Sequence, residues 1–480
     1  MKNQTRIIVA ILICASLYFV LVYYIERLWV LASTEPSQPP HGPYKGKYLN
    51  RPEIKQLQKR LPKIKADATE AIEASLGIPP VAPDRVALGL IDVENLPEGV
   101  SRGSRGFVRW LSGYKAVEIL LVTEYFITGT MDVEEVVTHE MTHAQMRLHM
   151  GYSAYKRIPK WLREGLALYT SGEGPGRVGY LLGIVEQPED LVNGLEEKHT
   201  FDDHAEDFLA IQYIEKQYGS EAVKKLSRLL LNRVPYRKAL QEVTGLSWPS
   251  FEKAAQAYAL SYIQSLAQGK HERYRKIIKD FRPSQYARVA EEARKFLAEF
   301  PHAYCAGTVT YYLGKSLYFE GRLPEAAEEF RKVLTNYSRT CGYVDDAKYF
   351  LALSLLHMGK IDEALKEIRD YQCDFVFDQA LCRGILLEGD ILKQAGEKEG
   401  AVLVYRRLYS EYPNDHYAPM ALFREARCHR EMKRPDEEKK ALNALLKGYP
   451  KSHYAEKARS RLRELARPEE TEKTPVTGQE

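Results

Sequence analysis

The chain has 480 residues, more than one hydrophobic core normally serves, so two or three domains are expected. Apolar residues at 45% and charged residues at 28% exclude a collagen-like, a largely disordered or a polytopic membrane protein. Lys plus Arg at 69 against Asp plus Glu at 65 leaves a net charge of +4 with no long basic block, so nucleic acid is not an expected partner.

Short β-branched runs are confined to the part before residue 130, and helix formers dominate beyond residue 200. The fold class read from this is α+β followed by an all-α region. Residues 7–25 carry no charge, follow Lys2 and Arg6 and run into Glu26 and Arg27. Such a segment is long enough to span a bilayer and longer than the apolar part of a cleavable signal peptide, the alternative for residues 1–32. With positive charge ahead of the span, the rest of the chain is expected on the extracytoplasmic side, the periplasm in a bacterium. Residues 33–50 contain Pro36, Pro39, Pro40 and Pro43 and read as a spacer.

A first folded domain is expected over 51–268. It opens with an amphipathic helix to about Leu76, followed by apolar runs at 86–92 and 116–124 that read as strands. At Met131 the apolar period changes from two to about four. Asp132 is a helix N-cap with Glu135 completing a capping box, and Gly151 ends the helix. His139, Glu140 and His143 form the pattern HExxH on it. Residues four apart lie about 40° apart round a helix, so both imidazoles can converge on one tetrahedral ion. Glu140, displaced from the ligand face, is close enough to take a proton from metal-bound water.

A third ligand has two candidates. His149 lies six residues beyond His143, but Met146 occupies the place of the glycine that would let the helix turn. On a continuing helix His149 faces about 240° away. Glu164 lies in the run from Pro159 to Tyr169, a second helix that ends before Gly172.

HExxH followed about twenty residues later by a helical glutamate resembles the gluzincin metallopeptidases. The run Trp161, Glu164, Gly165, Ala167, Tyr169 is similar to that of the peptidase MA-like family. The resemblance implies His139, His143 and Glu164 as zinc ligands and Glu140 as general base. It also implies a helix near 203–219 whose start bears His204 where many relatives have a tyrosine on the oxyanion. No G-x-M-E-N segment lies between Ser104 and Asp132, so an endopeptidase acting on protein or peptide substrates is expected rather than an aminopeptidase. The strand 116–124 is expected to bind substrate by edge pairing, as the corresponding strand does in relatives, and the glycine-rich stretch 170–198 to form a loop.

Residues 269–466 repeat. Gly321, Gly359, Gly396 and Lys433 recur at a period of about 37 residues. Gly314, Ala352, Gly389 and Ala426 precede them, and Ala326, Ala364 and Ala401 follow, with Glu438 breaking the rule. Small residues let paired helices approach, so this is a helix-pair solenoid that binds protein partners. It resembles tetratricopeptide repeats, and 270–300 is expected to add a capping half-repeat. The tail 467–480 is polar. Most of the repeat cysteines are expected to be buried small hydrophobes within helices, and Cys373 with Cys382 is the pair to test first for a disulfide. The function expected is a membrane-anchored zinc endopeptidase whose repeats recruit substrate or partner proteins. The alternatives are a catalytically silent zinc-binding scaffold and a zinc hydrolase acting on a non-peptide substrate.

Overall fold

The computed structural model describes residues 48–98, 100, 104–111, 116–128, 131–196, 204–338, 340–374 and 378–466. The apolar segment 7–25, most of the spacer 33–50 and the tail 467–480 lie outside the described residues. Among the described residues no helix is long and apolar enough to cross a membrane. The chain is mostly helical, with one small three-stranded sheet. Its contacts divide into two units, each discontinuous in sequence. The first gathers Met1–Thr123, Glu134–Ser171 and Ile214–Ser247; the second gathers Glu124–Val133, Gly172–Tyr213 and Trp248–Glu480.

The first unit contains helix α1 (Pro52–Leu76), strands β1 (Val86–Ile91), β2 (Gly106–Leu111) and β3 (Ala116–Val122), and helices α2 (Val133–Met150) and α3 (Lys160–Ser171). On α1 the buried residues Ile54, Leu57, Leu61, Ile64, Ala68, Ile72 and Leu76 recur every three or four positions. They form one apolar stripe, and the helix packs on α3 and on the helix Ser220–Leu231. Lys65 donates to the carbonyls of Val86 and Pro83, which ties α1 to the start of the sheet.

The strand order is β1-β3-β2, with β1 parallel and β2 antiparallel to β3. This corrects the expected substrate strand. All seven residues of β3 are buried and both its edges are paired, so its backbone has no edge to offer. The edge strands are β1 and β2, and β2 is a six-residue segment that sequence patterning did not reveal. Helix α2 follows Asp132 and ends where Gly151, at φ 80°, bonds back to Arg147, as expected.

In the second unit the glycine-rich stretch is not a loop. It holds the helix Gly174–Leu182 and a 3-10 turn at Pro188–Leu191. The buried carboxylate of Glu206 accepts the N–H groups of Asn193 and Gly194 at 3.0 Å. The Tyr274 hydroxyl donates to the carbonyl of Gly183 at 2.8 Å, and His271 Nε2 lies 2.9 Å from the carbonyl oxygen of Glu186.

Helices His271–Asp280 and Tyr286–Glu299 share a core with the first repeats through Tyr274, Ile277, Val289 and Phe296. Four antiparallel pairs follow: Ala306–Phe319 with Leu323–Asn336, Val344–His357 with Ile361–Asp374, Asp378–Gln394 with Lys398–Glu411, and Ala418–Glu431 with Pro435–Gly448. The helix His453–Ala466 comes last. The turn residues Gly321, Gly359 and Gly396 have φ of 76°, 75° and 89°, and Lys433 takes the same left-handed conformation at 56°. That conformation explains why the position is otherwise glycine. Glu438, which replaces the expected alanine, is buried between Arg461 at 2.7 Å and Arg430 at 3.1 Å. Cys373 is exposed and Cys382 is buried.

Candidate metal centre

His139 and His143 stand one turn apart on α2 with their Nε2 atoms 3.2 Å from each other. Glu164 on α3 places Oε2 3.4 Å from each of those nitrogens. Three tetrahedral ligands about 2.0–2.1 Å from a zinc ion lie roughly 3.3–3.4 Å apart. The three separations therefore match one face of a tetrahedron. Two imidazole nitrogens and a carboxylate oxygen suit zinc, and three protein ligands leave the fourth position open, as in catalytic rather than structural sites. The residues fit the ion. Among the described residues this is the one group of His, Cys, Asp and Glu able to hold a metal.

Burial works to raise the Glu164 pKa, but His143 and His139 beside it hold its carboxyl well below the usual carboxylate range. Glu140 is affected in the opposite direction: burial pushes its pKa up, and the two histidines only partly offset this. His149 does not join the group. Its Nε2 lies 2.7 Å from the carbonyl oxygen of Pro79, in keeping with the rotation expected on a continuing helix.

Edge strand β2 runs close to Glu140. A Cβ on Gly106 would lie 3.1 Å from Val136 Cγ1 and 3.4 Å from Glu140 Cγ, so a side chain here would crowd the helix at Glu140. The N–H of Val122 donates to the Arg105 carbonyl at 2.9 Å, and the register pairs Gly106 with Leu121 and Val108 with Ile119. Hydrogen-bonded pairs alternate along an antiparallel ladder, so the backbone groups of Gly106 and Val108 face the outer edge. Arg147 Nη1 donates to the Val108 carbonyl at 3.1 Å.

Sequence reasoning missed Tyr155. It sits in the one-turn helix Tyr152–Tyr155, almost fully buried, with its hydroxyl 2.9 Å from His143 Nδ1. The guanidinium carbons of Arg147 and Arg163 lie 4.9 and 4.8 Å from its ring centroid. A tyrosine twelve residues after a ligand, beyond a chain reversal, obeys no periodic rule that would have marked it.

His204 belongs to the second unit. It is the residue before the helix Ala205–Tyr218, and its carbonyl accepts the N–H of Phe208 at 3.1 Å. It is therefore the N-cap rather than part of the first turn. Its Nδ1 lies 2.7 Å from Oδ2 of the buried Asp207, which orients the ring.

A tetratricopeptide-repeat family model matches residues 385–415 and 420–452, the third and fourth helix pairs. No curated protein sequence matches the chain. The helical C-terminal region therefore carries tetratricopeptide repeats over 385–452, an architecture that binds other proteins.

Proposed function

We propose that the chain is a zinc-dependent endopeptidase of gluzincin type whose repeats recruit substrate or partner proteins. The observation that supports this most is the tetrahedral spacing of His139, His143 and Glu164 with Glu140 next in sequence to a ligand. Residues 7–25 serve as the membrane anchor, with the remainder on the extracytoplasmic side.

His139, His143 and Glu164 would hold zinc, which would supply Lewis acidity at the attacking water and the scissile carbonyl. A carboxylate oxygen of Glu140 takes the water's proton and passes it to the leaving amine. An extended substrate pairs with the outer edge of β2 at Gly106, next to the Val108 carbonyl that Arg147 holds. The gluzincin resemblance gives His204 the oxyanion-donor role that a tyrosine has in many relatives.

Comparing the proteomes of cells carrying wild type and Glu140→Gln tests the reading. One extracytoplasmic protein that accumulates uncut in the variant is the expected result. Identical protein patterns would leave the silent zinc-binding scaffold as the better reading.

A further inference from the structure

Metal-bound histidines are commonly oriented by a carboxylate or a backbone carbonyl on the second ring nitrogen. Here the group at His143 Nδ1 is the hydroxyl of Tyr155 at 2.9 Å. Its ring is 1% exposed and packs against the guanidinium groups of both Arg147 and Arg163. We infer that Tyr155 is the positioning residue of the metal centre, fixing the tautomer and rotation of His143 through its hydroxyl. This assignment rests on the zinc reading given above.

The argument is one of proton count. When Nε2 of His143 binds an ion, the ring's single proton resides on Nδ1 and is donated to the Tyr155 oxygen. That oxygen can accept it because a phenol has lone pairs to spare. A bond of this kind holds the ring at the one rotation that directs Nε2 toward His139 Nε2 and Glu164 Oε2. The two arginines in turn hold the tyrosine: each stacks a cation on its face, an arrangement favourable for an electron-rich ring. Arg147 also donates to the Val108 carbonyl, so the same side chain braces both the edge strand and the tyrosine behind the ligand. A neutral hydroxyl differs from a carboxylate partner in leaving the imidazole less electron-rich, and so the ion more acidic.

The test is zinc affinity of the full-length chain by chelator competition, for wild type, Tyr155→Phe and the control Tyr152→Phe, whose ring is exposed. Phenylalanine keeps the ring between the arginines and removes only the hydroxyl. Tyr155→Phe is expected to bind zinc at least tenfold more weakly, the range for loss of an outer partner of a ligand, with thermal unfolding of the metal-free protein unchanged and Tyr152→Phe like wild type. The cobalt-loaded variant is expected to shift its visible absorption bands, which a merely structural tyrosine would not cause. Wild-type affinity and spectrum in Tyr155→Phe would overturn the assignment while leaving the zinc reading intact; a wild type that takes up no zinc would overturn both. Should the variant fold poorly, nitrogen NMR of zinc-loaded wild type decides: a protonated, slowly exchanging Nδ1 on His143 supports the assignment, and an unprotonated Nδ1 contradicts it.

Discussion

Buried carboxylates of the repeats and Glu164 of the first unit face different kinds of partner. In the repeats, Glu388 meets Arg369 at 2.8 Å, Glu425 meets Arg406 at 2.7 Å and Glu438 meets Arg461 at 2.7 Å. Each acid finds a permanent cation on a neighbouring helix, so the solenoid balances its own buried charge. A buried carboxylate left with no cation at all would cost on the order of 3–5 kcal/mol. In the first unit Glu164 instead faces two imidazole nitrogens, at 3.4 Å each. Imidazoles carry charge only when protonated, and two of them 3.2 Å apart repel if both are. A carboxylate and two imidazoles aimed at one point are an arrangement that a bound cation completes. The repeats balance their own buried charge, whereas Glu164 depends on the charge state of two imidazoles or on a cation between them.

The largest expected effect breaks catalysis without touching that balance. Glu140→Gln keeps the size of the side chain and removes the base, so turnover of a protein substrate is expected to fall by about 10²–10⁴-fold with zinc content unchanged. Retained turnover with intact zinc would assign proton transfer to another group. Next comes His204→Ala, expected to lower turnover by roughly a hundredfold, the order seen for loss of one oxyanion donor, again without loss of zinc. Turnover within threefold of wild type at both pH 6 and pH 8 would leave His204 without a catalytic part.

The smallest effect concerns the repeats alone. Burial pushes the Cys305 thiol up to about 12 and the Cys341 and Cys428 thiols up to about 11. The fold therefore binds these protons more tightly than the unfolded chain does. The stability they carry is intact below the ordinary thiol range and is lost as the pH rises through 9 toward 11–12. At pH 8 a thiol reagent followed by peptide mapping is expected to modify the exposed Cys373 well ahead of these three, which react only on unfolding. Equal labelling would mean that the helix pairs open readily.

Much of both regions was legible in the sequence because both are periodic. His139 and His143 are four apart on a helix that starts after Asp132 and stops at Gly151, and the turn glycines recur at the spacing of the repeats. What escaped notice depends on pairing or close approach between distant segments. Strand β2 follows a glycine-rich stretch and has Arg109 among its apolar residues, so no apolar run marks it, and without it β3 looked like an edge. The segment Gly174–Leu182 forms a helix despite its glycines, because tertiary packing overrides weak propensity. Lys433 keeps the left-handed turn at φ 56° although its side chain disfavours it. Tyr155 reaches His143 only because the chain doubles back after Gly151.

The central claim is that His139, His143 and Glu164 form a site for one zinc ion. Metal analysis of the purified full-length protein, alongside His143→Ala, Glu164→Ala and His149→Ala, tests it most directly. Close to one zinc per chain is expected in wild type and in His149→Ala, whose ring faces Pro79, and almost none in the other two variants. Zinc retained in Glu164→Ala but lost in His149→Ala would contradict the account.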